Sequence, residues 1–137
     1  MSQLLEVKPA HALAEVRVMV VDDDEQLRTA LAELLDDLGF TLVGEAEDGS
    51  KAIVMAEDLE PDVILMDIRM PGMDGLEATR EITTRLPKVR VVIFSAYDDP
   101  ALTSSAKENG AFCYLVKGCP PRMISEVLVQ AWAHDRP

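Results

Sequence analysis

Asp62-Val63-Ile64-Leu65-Met66-Asp67-Ile68-Arg69-Met70-Pro71-Gly72-Met73-Asp74-Gly75 runs from an apolar segment to an acid, through a turn, into a helix start. The run Asp62–Met66 has strand length and strand composition. Met70-Pro71-Gly72 is turn chemistry. A helix is predicted from about Gly75 to Arg85, ending before Pro87, because the residue preceding proline is disfavoured in helical geometry.

On either side of this unit the alternation repeats. Apolar, β-branched runs lie at Val16–Val21, Thr41–Ala46, Val89–Phe94 and Phe112–Val116. Between the first two, Leu27, Leu31, Leu34, Leu35 and Leu38 form one apolar helical stripe, and Gly39 supplies its stop. A second helix is predicted from about Ser50 to Leu59. A fourth has Asp99 as N-cap, Pro100 as its first residue and Gly110 as its stop. A fifth starts near Pro121 with Ile124, Val127, Leu128, Ala131 and Trp132 on one face. Five strands alternating with five helices imply an α/β fold: a doubly wound, five-stranded parallel sheet covered on both sides. Residues 1–15 read as an N-terminal tail, partly helical across Ala10–Glu15, residues 16–133 as the domain, and residues 134–137 as a C-terminal tail.

Composition narrows the function. The chain has 137 residues, enough for one domain with one core. Net charge is −12, from 13 Lys+Arg against 25 Asp+Glu, with no basic cluster. Nucleic-acid affinity comes largely from cations that displace counterions, so this chain is not expected to bind duplex DNA at physiological salt. Cys113 and Cys119 match neither a zinc-ligand pattern nor a disulfide framework and read as two reduced thiols. No apolar run has the length of a membrane span, and residues 1–16 carry Glu6, Lys8, Pro9 and Glu15 rather than a signal-peptide core. A cytoplasmic protein is expected.

Open parallel sheets bind ligands beyond the carboxyl ends of their strands. Here strand one ends in Asp22-Asp23-Asp24, strand three in Asp67, strand four in Ser95 and strand five in Lys117. Strand two ends in Glu45, Glu47 and Asp48, with nothing distinctive. Each residue has a structural reading by itself: Asp24 as a helix cap, Ser95 as a turn residue, Lys117 as a solvated charge. Their convergence argues otherwise. Packed carboxylates repel and raise one another's pKa, and a bound hard cation removes that cost. A nucleophile, a cation site and phosphate donors together suit phosphoryl transfer.

Val20-Val21-Asp22-Asp23 with Glu25, Met66 to Gly75, Phe94-Ser95-Ala96 and Tyr114-Leu115-Val116-Lys117 resemble the receiver domain of bacterial response regulators, in the group usually joined to a helix-turn-helix output domain. The resemblance covers about residues 16–133. It implies a flavodoxin-like strand order 2-1-3-4-5 and a Mg²⁺-dependent switch phosphorylated by a sensor histidine kinase. It implies Asp67 as phosphoacceptor, Asp23 as direct metal ligand, Asp22 as a ligand through water and Arg69 as a backbone-carbonyl ligand. It also implies Lys117 as the lysine that pairs with the acceptor and then the phosphoryl group, Ser95 as the switch hydroxyl and Tyr114 as the switch aromatic. It further implies repacking of helix four, strand five and helix five, and self-association on phosphorylation. Such a domain assists its own phosphorylation and dephosphorylation but is not a turnover enzyme.

Two features depart from the pattern. Gly118 follows Lys117 where many receivers have a cis proline, so a cis bond is not assumed. The chain also reaches Pro137 without an output domain, as either a stand-alone receiver or part of something longer. His134 reads as solvated. Two other functions compete. Asp22-Asp23-Asp24-Glu25-Gln26 has the two acids of a haloacid dehalogenase-type phosphatase, but Gln26 stands where that motif has Thr or Val. A receiver-like interaction module that is never phosphorylated would lack an acid, the lysine or the hydroxyl, and all are present.

Overall fold

The structure, a computed structural model, describes residues 13–134. Five strands and five helices alternate: β1 Arg17–Val21, α1 Glu25–Leu38, β2 Thr41–Ala46, α2 Gly49–Leu59, β3 Val63–Met66, α3 Gly75–Arg85, β4 Arg90–Ser95, α4 Pro100–Glu108, β5 Cys113–Val116 and α5 Pro121–Ala133. All pairings are parallel, in the order β2-β1-β3-β4-β5.

Side-chain alternation divides the core between two layers. Met19, Val21, Ile64, Met66, Val91 and Ile93 point to the layer shared with Ile53 of α2, Ile82 of α3 and Ala106 of α4. Val18, Val20, Val63, Leu65, Val92 and Phe94 point to the opposite layer, against Leu31 and Leu35 of α1 and Leu128 of α5. Every residue of β3 is buried, as a central strand covered on both faces requires.

The helix boundaries follow local chemistry. Asp24 caps α1 by accepting from the amides of Gln26 and Leu27, and Gly39 ends it in the left-handed region at φ 96°. Asp99 accepts from Ala101 N at 2.9 Å to start α4. That helix closes on Asn109, with Gly110 one residue beyond at φ 98°. Asp48, which the sequence left without a role, caps α2 through Lys51 N at 2.8 Å.

The predicted tail falls mostly on residues 1–12, outside the described residues. Leu13 and Ala14 lie in a helical turn. Leu13 packs against the α1/α5 layer, and the Ala14 carbonyl accepts from Thr41 Oγ1 at 2.6 Å. Thus contacts with the domain extend at least three residues ahead of Val16. Trp132 is only partly buried at the edge of the same layer. Among the described residues no peptide bond is cis, and no helix is long and apolar enough to cross a membrane.

Candidate functional site

Sheet register assembles the site. Val21 pairs with Met66, so the next residues, Asp22 and Asp67, lie side by side where the strand order reverses. The Asp67 amide donates to the Val21 carbonyl at 2.9 Å, and the Asp22 amide to the Ala46 carbonyl at 3.1 Å. On the far side of β3, Met66 pairs with Ile93, which places Ser95 just past the acid. Ser95 pairs with Val116, and the Lys117 amide donates to the Ser95 carbonyl at 2.7 Å. One sheet edge therefore carries all four predicted strand-end groups.

Asp22 is 2% exposed and Asp67 7%, whereas Asp23 is exposed. Oxygens from these three carboxylates lie within 4.8 Å of one another, a donor set that could hold a hard cation. Both buried acids are anchored through one oxygen. Asp22 Oδ1 accepts from Asp24 N at 2.9 Å, and Asp67 Oδ1 accepts from Ile68 N at 2.9 Å. Lys117 Nζ serves the other oxygens, at 2.7 Å from Asp22 Oδ2 and 3.5 Å from Asp67 Oδ2. Its nearer partner is thus Asp22, although the resemblance implies pairing with Asp67. The two carboxylates hold the Lys117 ammonium above its ordinary pKa, outweighing its desolvation. The Asp67 carboxyl is pushed up to about 6, by burial first and then by repulsion from Asp22, against the pull of Lys117.

Ser95 is fully buried, and its Oγ accepts from Tyr97 N at 3.1 Å. The Tyr114 hydroxyl donates to the Tyr97 carbonyl at 2.6 Å. The Arg69 guanidinium lies over the Tyr97 ring, 5.1 Å from its centroid. The loop after β4 is therefore tied at Tyr97 to three of the predicted site residues. Tyr97 was not singled out from the sequence; lying two residues beyond a strand-end serine is its only linear mark.

Arg28 was also missed. Its Nη1 donates to the Asp22 carbonyl at 2.6 Å, and its Nε lies 3.4 Å from Glu45 Oε1. Glu45, at the end of strand two, is thus occupied. A signal for Arg28 existed: a cation in the fourth position of a helix works against the helix dipole and needs a local partner. Cys113 and Cys119 carry free thiols, and burial raises the Cys119 pKa, which keeps it protonated.

A flavodoxin-like sheet thus carries an acid cluster, a lysine and a buried hydroxyl at its switch point. Residues 18–129 match the response regulator receiver domain family, and the chain belongs to it. It is 34% identical to the response regulator GacA of Pseudomonas aeruginosa over 122 residues, 88% of this chain and 57% of that protein. The response regulator domain of Thermotoga maritima CheB superposes with a TM-score of 0.79 at 32% identity, over 89% of this chain and 98% of that one. The CheX-CheY-BeF3-Mg+2 complex from Borrelia burgdorferi matches with a TM-score of 0.78 at 26% identity, over 84% and 87%. The chain spans about half the length of the curated relatives it matches, 57% and 49% for two GacA proteins. It is a receiver domain of two-component signalling, and the comparisons give no support to a phosphatase.

Proposed function

We propose that this receiver is a Mg²⁺-dependent switch in which Asp67 takes a phosphoryl group from the phosphohistidine of a sensor histidine kinase. The observation that carries the reading is the sheet register, which brings the Asp22, Asp23 and Asp67 oxygens within 4.8 Å beside Lys117. An Asp67 oxygen attacks phosphorus, an acyl-phosphate P–O bond forms, the P–N bond breaks, and its electron pair leaves on the imidazole. Asp22, Asp23, Asp67 and the Arg69 carbonyl would hold Mg²⁺, which supplies Lewis-acid neutralisation of charge on the phosphoryl oxygens. The donors are all oxygen, as that hard cation prefers. Lys117 offers an ammonium to the phosphoryl group. Attack of water on the same phosphoryl group would draw on the same Mg²⁺ and Lys117, so the domain assists loss of its phosphoryl group as well as its gain. The reduced thiols fit a cytoplasmic location.

Removing Asp23 tests the metal reading. Asp23→Ala deletes an exposed carboxylate that neither caps a helix nor fills the core, so the fold is retained while most Mg²⁺ affinity is lost. Calorimetric titration measures it. Equal affinity in mutant and wild type takes Asp23 out of the site.

The switch follows from the contacts at Ser95. Phosphorylation adds about −1.5 to −2 charge and three acceptor oxygens. A Ser95 hydroxyl turned toward one of those oxygens gives up its bond to Tyr97 N, and Tyr114 moves inward as its bond to the Tyr97 carbonyl breaks. Helix α4, β5 and α5 repack, and the repacked face favours self-association. Beryllofluoride with Mg²⁺ should raise the sedimenting mass of the wild type and shift α4 amides. Ser95→Ala should still be phosphorylated but lose most of the mass response. A full response in Ser95→Ala removes it as the coupling residue, and no response in the wild type ends the switch reading.

A further inference from the structure

We infer that Arg28 is a positioning residue for the acidic pocket, acting by clamping the main chain of Asp22 to the neighbouring strand. The inference rests on the metal reading above. Asp22 uses all four polar atoms: its amide on the Ala46 carbonyl, its carbonyl on Arg28, Oδ1 on Asp24 N and Oδ2 on Lys117. Three of these partners are backbone groups or the site lysine. The fourth, Arg28, is a long side chain with 15% of its surface exposed, and it also faces Glu45 of β2. Glu45 pairs in register with Val20, and the next residue, Ala46, receives the Asp22 amide. One guanidinium thus ties α1, the end of β1 and the end of β2 at the peptide that joins Asp22 to Asp23. That peptide plane fixes the backbone from which both carboxylate side chains leave.

The choice of acceptor matters. A cation beside an acid cluster ordinarily occupies carboxylate lone pairs and competes with a metal ion. Arg28 takes the Asp22 carbonyl instead, so it orients the acids without using their oxygens. Asp22 Oδ2 is left to Lys117, the group that pairs with phosphoryl oxygens in the proposed reaction. Arginine suits this task better than lysine because its planar fork serves two acceptors at a fixed angle.

Three roles for Arg28 predict different signs. As a bare positive charge it would weaken Mg²⁺ binding, so removing it would tighten binding. As a packing residue alone, its removal would lower the melting temperature and leave Mg²⁺ affinity unchanged. As a positioning residue, its removal weakens Mg²⁺ binding despite the more negative field. The experiment is calorimetric titration of Mg²⁺ into wild type, Arg28→Met and Arg28→Lys, with thermal melting of each. Arg28→Met keeps the apolar stem and should weaken Mg²⁺ roughly tenfold, the usual scale for a residue that supports a metal ligand from outside the coordination shell. Arg28→Lys keeps the charge, reaches one acceptor at a time, and should fall between the two. Tighter or unchanged Mg²⁺ binding in Arg28→Met overturns the inference. If Arg28→Met does not fold, Arg28→Lys decides, and wild-type affinity there overturns it. A wild type that binds no Mg²⁺ overturns the metal reading itself and this inference with it, whereas binding that Arg28→Met leaves intact overturns only the role of Arg28.

Discussion

Asp67→Asn should gain no phosphoryl group from a small acyl phosphate with Mg²⁺, whereas the wild-type chain should gain one, as read by intact-mass spectrometry. The amide lacks the nucleophilic oxygen but retains the shape that fills the site, so the loss is chemical rather than structural. Equal labelling of the mutant would place the acceptor elsewhere. The wild-type rate should carry an acid limb, because the proposed attacking group is the carboxylate and its pKa is raised to about 6. At limiting Mg²⁺, labelling slows as pH falls through that value. Added Mg²⁺ favours the ionised form and should move the limb to lower pH.

The same shift fixes the sign of a stability effect. A carboxyl whose folded pKa lies above its unfolded value of 3.8 favours folding when protonated. That contribution is fully present below 3.8 and is lost as pH rises through about 6. Asp67→Asn should therefore stabilise the metal-free protein above about pH 6, by about 1–2 kcal/mol once solvent at the pocket mouth is allowed for. Near pH 4 the two proteins should melt together. Such proteins lose activity and gain stability in one substitution, as expected where function keeps like charges close.

Asp22, Asp67, Ser95 and Lys117 were legible in the sequence because each directly follows an apolar run, and parallel strands bring such positions to one edge whatever lies between them. The α1 boundaries were legible for an equally local reason: Asp24 caps its own helix, and Gly39 alone supplies the positive φ at its end. The need of Arg28 for a partner was legible from its place in the first turn of α1, but the partner was not, because it depends on β2 lying beside β1, which puts Glu45 within 3.4 Å of a side chain 17 positions earlier. Lys117 shows a finer limit. Its placement at the site follows from β5, but its preference for Asp22 at 2.7 Å over Asp67 at 3.5 Å is a matter of side-chain reach across the ends of strands that do not pair with β5. Tyr97 gains its role only when α4 and β5 bring Tyr114 to its carbonyl and the β3 loop brings Arg69 to its ring. Periodicity identifies elements and their ends; it does not specify which side chains meet across two loops.

Gly75→Ala should be strongly damaging for a single added methyl group. Alanine at an ordinary helical position is about 1 kcal/mol better than glycine. Here the sign reverses. A Cβ on Gly75 would sit 1.8 Å from the Asp67 carbonyl oxygen, 2.8 Å from its carbonyl carbon and 3.0 Å from Ile68 Cα. All three are backbone atoms, so no side chain can swing aside. To make room, α3 must retreat from β3. The retreat strains the bond from Gly75 N to the Ile68 carbonyl at 2.9 Å. It also lifts Ala78 and Ile82 from the core layer they share with Met66. The expected cost is about 3 kcal/mol or more, in the range of overpacked cores. In a domain of this size that lowers Tm by about 10 °C. Because the obstructed carbonyl belongs to Asp67, the proposed phosphoacceptor, labelling of Asp67 should fall at temperatures where the mutant is still folded. Gly72→Ala is the control. Gly72 has a positive φ of 74°, but no atom lies within 4 Å of the place its new methyl group would take, so it should cost only the conformational strain of about 1–2 kcal/mol and spare the labelling rate. If Gly75→Ala melts with the wild type and labels at the same rate, α3 is not held against the acceptor by this contact.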